Sequence, residues 1–190
     1  MSLTASLRLS LLFLAAVLLS GCGSGGKTYY MLTPDGPAPA GSGMGIGVGP
    51  VSLAEYIDRP NLVVQEDANQ LGVAEDHRWA GDLGDSIARV TATNLGRRLR
   101  SGNIRVYPWP SDGAIRYQVV LDIRQFHAAA DGYAVLEAGW RAYALPERRL
   151  IASRTFTARE PLVSSGYQPL VAAQSRLLSR LADDIAKKLK

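Results

Sequence analysis

The residue best placed for chemistry is Cys22, the only cysteine among 190 residues. It directly follows the tripeptide Leu-Ser-Gly at 19–21, and an apolar run at 9–19 leads into it. Arg8 and the free N-terminus make the start of the chain positive. Residues 1–21 therefore have the order of a secretory signal peptide: positive charge, apolar segment, small residues at the cleavage site. The apolar segment is too short for a membrane-spanning helix, which needs about 20 residues.

Cys22 has no intramolecular disulfide partner, so an exported protein must use it in another way. The residues at 19–22 resemble the lipobox of bacterial lipoproteins, in which the cysteine is lipidated and becomes the mature N-terminus. The resemblance implies a diacylglyceryl group and an N-acyl chain on Cys22. Three chains would make release negligible, because each buried CH₂ contributes about 0.8 kcal/mol. A buried or redox-active cysteine is the alternative interpretation.

The remainder of the chain divides into a tether and one domain. Residues 22–27 hold the lipidated cysteine and Gly-Ser-Gly-Gly, a composition typical of flexible linkers. Residues 28–190 are long enough to bury the core of a single domain. Gly23 stands where inner-membrane lipoproteins commonly carry aspartate, so the resemblance implies the periplasmic face of the outer membrane.

Charge excludes some classes of partner. The net charge of +4 falls to +3 after cleavage at residue 22, because the signal peptide contains Arg8 and no acidic residue. This excess is small and no long basic run is present, so we expect no nucleic-acid partner. It is compatible with weak attraction to anionic lipid head groups.

Hydrophobic periodicity predicts two amphipathic helices, at 81–100 and 167–190. Asp82 is the expected N-cap of the first helix, and Ser101-Gly102 is expected to end it. Asn94 and Arg98 interrupt its apolar arc. The second helix has a continuous leucine and isoleucine stripe, typical of a helix packed on a sheet.

Alternating patterns predict the strands. Five short strands are expected at 28–32, 46–51, 62–65, 71–74 and 104–107. Three longer strands around 117–123, 134–144 and 150–158 are separated by turns, which predicts an antiparallel meander with one buried face. The predicted fold class is α+β: a mostly antiparallel sheet with two amphipathic helices packed on one face.

Catalytic patterns are missing from the sequence. His77 lies in a charged stretch that predicts a surface position, and His127 ends a predicted strand. Neither has metal-ligand spacing with other residues, and Ser164-Ser165 has no nearby base. We therefore expect no enzymatic activity, no metal site and no cofactor.

Three blocks of sequence are more distinctive: GPVSLAEYIDRPNLVV at 49–64, HRWA at 77–80 and VYPW at 106–109. Together they resemble the ABC-type transport auxiliary lipoprotein family, the PqiC-like intermembrane transport lipoproteins. Tyr29-Tyr30 and Leu32 are also similar to the family's opening strand. Ala54, Ile57 and Asn61 depart from the family pattern, which leaves the transporter subgroup open.

The resemblance implies a non-enzymatic accessory subunit of an ABC/MCE-type system that moves lipid between membranes and contributes to envelope integrity. It implies a periplasm-spanning MCE-type protein as partner, a membrane contact through the N-terminal lipid, and a homo-oligomer. The alternative is a stand-alone structural or assembly lipoprotein of the cell envelope.

The blocks also supply candidate site residues. The loop residues form a candidate partner or oligomer interface, because tyrosine and arginine beside a rigid proline suit binding: Tyr56, Asp58, Arg59 and Pro60. The alternative, given equal weight, is that these residues only hold the loop against the sheet. The aromatic blocks supply candidate structural anchors, because tryptophan gains most from packing: Trp79, Tyr107, Pro108 and Trp109.

Overall fold

A computed structural model describes residues 26–110 and 113–189. The predicted signal peptide and Cys22 lie outside the described residues. Within them are eight strands and two helices, in the following chain order. The elements are β1 (Thr28–Tyr30), β2 (Ile46–Leu53), β3 (Asn61–Asp67), β4 (Gln70–Trp79), α1 (Leu83–Leu99), β5 (Ile104–Val106), β6 (Tyr117–Ala128), β7 (Tyr133–Ala144), β8 (Arg149–Pro161) and α2 (Tyr167–Leu189). An α+β fold is therefore confirmed.

The sheet is mixed, and β6 lies at its centre. One edge of β6 pairs with β7 along its whole length, antiparallel. The other edge pairs in parallel with β2 from Tyr117 to Ile123, and then with β3 at Ala128. Strands β5 and β1 extend the sheet through parallel pairing with β2 and β4.

The prediction of a mostly antiparallel sheet was wrong, because four of the seven pairings among the described strands are parallel. The antiparallel meander β6–β7–β8 is confirmed. Parallel partners must be joined by a crossover, and α1 lies in the connection between β2 and β5. Local alternation records which face of a strand is buried but not which distant strand it pairs with.

Helix α1 begins and ends at recognisable caps. The Asp85 N–H donates to Asp82 Oδ1 at 2.7 Å, which confirms the predicted N-cap. Arg100 adopts the left-handed conformation (φ 52°, ψ 41°), so the helix ends one residue before the predicted Ser101-Gly102. The N–H groups of Ser101 and Arg100 donate to the carbonyls of Gly96 and Arg97, which is the Schellman arrangement.

The core lies between the helices and the sheet. The two helices contact each other, and both contact the sheet. The predicted stripe of α2 is buried throughout, including Leu181 and Ile185 at 0% exposure. It faces the buried side of β6 and β7, where Trp140 and Phe126 are the largest side chains. None of the described helices is long and apolar enough to cross a membrane.

Arg98, which interrupts the apolar arc of α1, joins three segments. Its Nε donates to Asp183 Oδ1 of α2 at 2.6 Å, and its Nη2 lies 2.6 Å from Asp35 Oδ2 in the loop after β1. Ser179 Oγ accepts a further bond from Nη2 at 2.6 Å. The bond from Arg98 lowers the pKa of Asp35 to about 2, with smaller contributions from Ser179 and Arg97. Arg98 thus links α1 to α2 and to the loop after β1 through hydrogen bonds and ion pairs.

Candidate functional site

The three distinctive blocks converge at the N-terminus of α1. The Trp79 N–H donates to the Pro60 carbonyl at 2.7 Å, which joins the first block to the second. The Tyr107 N–H donates to the Val48 carbonyl at 2.9 Å, which fixes the third block beside β2. Residues far apart in sequence therefore surround the first turn of one helix.

The start of the Ala54–Pro60 loop is held firmly to β6. The Ala54 N–H donates to the Ile123 carbonyl at 2.9 Å, and Ile57 is buried at 1% exposure. The Tyr56 ring packs edge-on against His127 with centroids 5.8 Å apart, and its hydroxyl donates to the Arg124 carbonyl at 3.1 Å. Burial raises the pKa of Tyr56 to about 12, with a further contribution from the Glu137 carboxylate. Tyr56 therefore has contacts that orient the loop.

The end of the same loop faces outward. Asp58 and Pro60 are exposed, and Arg59 is partly buried. Arg59 Nε is buried and has no hydrogen-bond partner within the described residues. A cleft of about 330 Å³ separates residues 58–60 from residues 81–83. An orphan buried donor costs roughly 1–3 kcal/mol, so an acceptor from a bound partner would be stabilising here.

A second cleft, of about 230 Å³, lies on the other side of the α1 N-terminus. Pro50, Tyr107 and Pro108 line one wall, and Asp82 and Asp85 line the other. Tyr107 is 51% exposed, so about half of its surface is available to a partner.

The four candidate anchors have different environments. Trp79 is 6% exposed and stacks on Phe126 with centroids 6.4 Å apart. Trp109 is partly buried over Gly47, where an added Cβ would overlap its ring. Tyr107 and Pro108 are exposed, and the Tyr107 ring is perpendicular to Trp109 at 5.6 Å.

We call this region the α1 N-terminal surface and define it by its outermost residues: Asp58, Arg59, Pro60, Asp82, Tyr107 and Pro108. The sequence indicated Asp58, Arg59 and Pro60 as candidate interface residues. It indicated Tyr107 and Pro108 only as candidate structural anchors, and Asp82 only as a helix cap. Asp58, Asp82 and Asp85 are exposed, and Arg89 pairs with Asp85 at 3.7 Å. Acidic groups therefore predominate around the two clefts. Their common placement depends on the fold, and no local sequence signal could have shown it.

The histidines have structural contacts. His77 is partly buried, which corrects its predicted surface position: Tyr30 Oη lies 2.8 Å from its Nδ1, and its ring stacks on Tyr167 at 3.9 Å. His127 is buried, with Nδ1 2.9 Å from the Ala128 carbonyl. Over residues 26–110 and 113–189, no group of three potential metal ligands was found.

Ser164 and Ser165 line a cavity whose other described lining residues include no histidine and no acidic residue. The cavity measures about 620 Å³ and opens next to the start of α2. Val64, Leu162 and Leu170 provide much of its apolar lining.

Residues 30–186 match the family model described as an ABC-type transport auxiliary lipoprotein component. The chain belongs to this family. The match includes all three blocks and every residue of the α1 N-terminal surface. No curated protein matches the chain in sequence.

Solved structures share the fold of this auxiliary lipoprotein component. A crystal structure titled as an uncharacterized protein has a TM-score of 0.73 at 21% identity, covering 87% of this chain and 99% of that chain. A Xanthomonas campestris protein of the DUF330 family has a TM-score of 0.63 at 23% identity, covering 83% and 92%. A PelC dodecamer from Paraburkholderia phytofirmans has a TM-score of 0.47 at 17% identity, covering 77% and 91%, too distant for its assembly to bear on this chain.

Proposed function

We propose that this protein is a non-enzymatic accessory subunit of an ABC/MCE-type system that moves lipid between membranes. It is anchored through Cys22 on the periplasmic face of the outer membrane and contributes to envelope integrity. The observation that carries the proposal is the family match over residues 30–186, which makes the chain an ABC transport auxiliary component. Lipid as cargo, an MCE-type partner and the outer membrane are additions of this proposal.

The α1 N-terminal surface is the proposed contact with the periplasm-spanning partner or with a neighbouring copy of the chain. Three features support it. Arg59 Nε is a buried donor without an acceptor in the described chain, Tyr107 is half exposed beside a cleft, and acidic side chains surround both. A partner segment with a basic side chain and a free carbonyl would complement these groups. Arginine and tyrosine are the residue types that most often dominate binding energy.

Affinity capture tests the transport assignment. The full-length protein with a C-terminal tag is crosslinked in intact envelopes, captured, and its partners are identified by mass spectrometry. Recovery of an ABC component and a periplasm-spanning MCE-type protein is the expected result. Recovery of envelope structural proteins with neither of these would favour the stand-alone assembly role.

Arg59→Ala tests the surface. We expect its melting temperature to stay close to that of the wild type, because the guanidinium Nε makes no hydrogen bond to the described chain. Capture of the partner or self-assembly should weaken by more than about 1 kcal/mol, as for an interface hot spot. Arg149→Ala is the matched control, since Arg149 is an exposed arginine on β8, at the far edge of the β6–β7–β8 meander. A destabilised Arg59→Ala domain with normal capture would assign the residue to the scaffold.

A further inference from the structure

Strand β1 is the first element after the tether and lies at one edge of the sheet. Five residues, 23–27, separate Cys22 from Thr28, so even a fully extended chain spans only about 20 Å between them. A compact domain of this length is about 40 Å across. Wherever Cys22 is held, β1 therefore lies within about half a domain diameter of it.

Two large exposed side chains, Tyr29 of β1 and Met31 directly after the strand, lie on the outward side of this segment. Tyr29 is 60% exposed and Met31 is 68% exposed. The residues that alternate with them point inward: Tyr30 contacts His77, and Leu32 is 6% exposed. Two consecutive outward positions next to the tether are thus a tyrosine and a methionine. Tyrosine favours the membrane interface because its ring is apolar and its hydroxyl is polar.

Charges around this side nearly cancel. Lys27 and Arg78 are the basic groups close to β1, where Arg78 is the register partner of Tyr29. Glu75 and Asp76 are exposed acidic groups on the neighbouring strand β4. Attraction of this side to a surface would consequently depend on its apolar side chains and little on salt.

We propose that the outward side of residues 29–31, formed by Tyr29 of β1 and by Met31 directly after the strand, rests on the lipid bilayer, with both side chains at the boundary between head groups and acyl chains. The inference rests on the proposed function, since it requires acylation of Cys22, and it adds the orientation of the domain on the membrane. The bilayer is chosen as the occupant because the tether brings it within reach of β1 in every state of the anchored protein.

The test uses the full-length lipidated protein in vesicles of phosphatidylethanolamine and phosphatidylglycerol. Acylation consumes the Cys22 thiol, so Met31→Cys introduces a unique free thiol for a bimane label. Glu147→Cys is the control. Glu147 is exposed in the turn before β8, and the 13 residues of β8 place it about 40 Å from Pro161, the residue at which β8 ends before α2. Brominated lipids are the quenchers, and Tyr29→Cys provides a second labelled position on β1.

The label at position 31 should be quenched about threefold more strongly than the label at 147, as expected for a side chain several ångströms inside the interface. The ratio should persist in high salt. The proposal would be overturned if the labels at positions 29 and 31 were both quenched no more strongly than the label at position 147. Disulfide crosslinking of two copies through the thiol at position 31 would also overturn it, because a second copy would then cover this side.

The outcomes also separate this inference from the proposed function. Strong quenching at position 31 with no transport component captured from envelopes would leave the membrane contact standing and remove the transport role. Capture of the transport component without quenching at position 31 would remove the membrane contact alone. A mass spectrum without acyl chains on Cys22 would overturn the contact and the anchoring together.

Discussion

Replacing Arg98 by methionine should destabilise the domain by about 2 kcal/mol. Methionine keeps the apolar stem of the side chain and removes the guanidinium. The lost bonds to Asp183, Ser179 and Asp35 are each 2.6 Å long, and Arg98 itself is only 18% exposed. Buried charge-assisted bonds contribute about 1.5–3 kcal/mol each, but Asp35 is 33% exposed and Asp183 is 48% exposed. Solvent screening reduces each of those two contributions to roughly 0.5–1 kcal/mol.

The assay is thermal and urea unfolding of a soluble form lacking residues 1–22. A loss of about 2 kcal/mol corresponds to a decrease in melting temperature of roughly 4–8 °C for a domain of this size. Arg89→Met is the matched control on the same helix. Its bond to Asp85 is 3.7 Å long between side chains that are 70% and 61% exposed, so the expected loss is under about 0.5 kcal/mol.

The contribution of Asp35 to the stability of the domain should depend on pH. The pKa of Asp35 is lowered from 3.8 to about 2 in the folded protein, so the unfolded chain binds the proton more readily. The stabilisation from Asp35 is thus complete above its unfolded pKa and is lost as the pH falls through about 2. The difference in free energy of unfolding between wild type and Arg98→Met should be constant from neutral pH to about pH 5. It should become smaller between about pH 4 and pH 2. Equal stability of Arg98→Met and Arg89→Met at neutral pH would refute the reasoning.

Three further outcomes are expected. Cys22→Ala should leave an uncleaved, unacylated precursor in envelope fractions analysed by mass spectrometry, and acylation of that variant would disprove the lipobox. Leu181→Asp should lower the free energy of unfolding by several kcal/mol because it buries an unpaired charge, whereas Gln168→Asp, at an exposed position in the first turn of α2, should be tolerated. Spectrophotometric titration should show one phenol with a pKa of about 12 that disappears in Tyr56→Phe; an unchanged titration would contradict the burial of Tyr56.

Much of the secondary structure could be predicted because it is encoded locally. Asp82 marks the start of α1, and the leucine stripe marks α2, since burial on one helical face needs that spacing. The meander β6–β7–β8 followed from alternation and short turns. Asn94 and Arg98 looked like defects in α1 because their partners, Asp35 and Asp183, are distant in sequence.

The candidate site was only partly predictable for the same reason. The blocks around Tyr56, Trp79 and Tyr107 were distinctive in sequence, but their meeting point at the α1 N-terminus depends on the parallel pairing of β2 with β5 and β6. The sequence could not show which part of the loop is bonded to β6 and which part has exposed side chains. The structure does so: Tyr56 bonds to β6, whereas Asp58 and Pro60 are exposed.

The two partners that share one edge of β6 differ greatly in how they are attached. Strand β2 is in register with β6 over several residues, whereas β3 meets it, among the described residues, at the single pair Val64 and Ala128. Strands β3, β4 and β1 thus form a wing, and the chain leading from Cys22 enters through its outermost strand. Side chains supply the rest of the attachment: Trp79 stacks on Phe126 of β6, and His77 stacks on Tyr167 of α2. The position of the wing, and with it the point where the chain from Cys22 enters the fold, is thus set by aromatic packing.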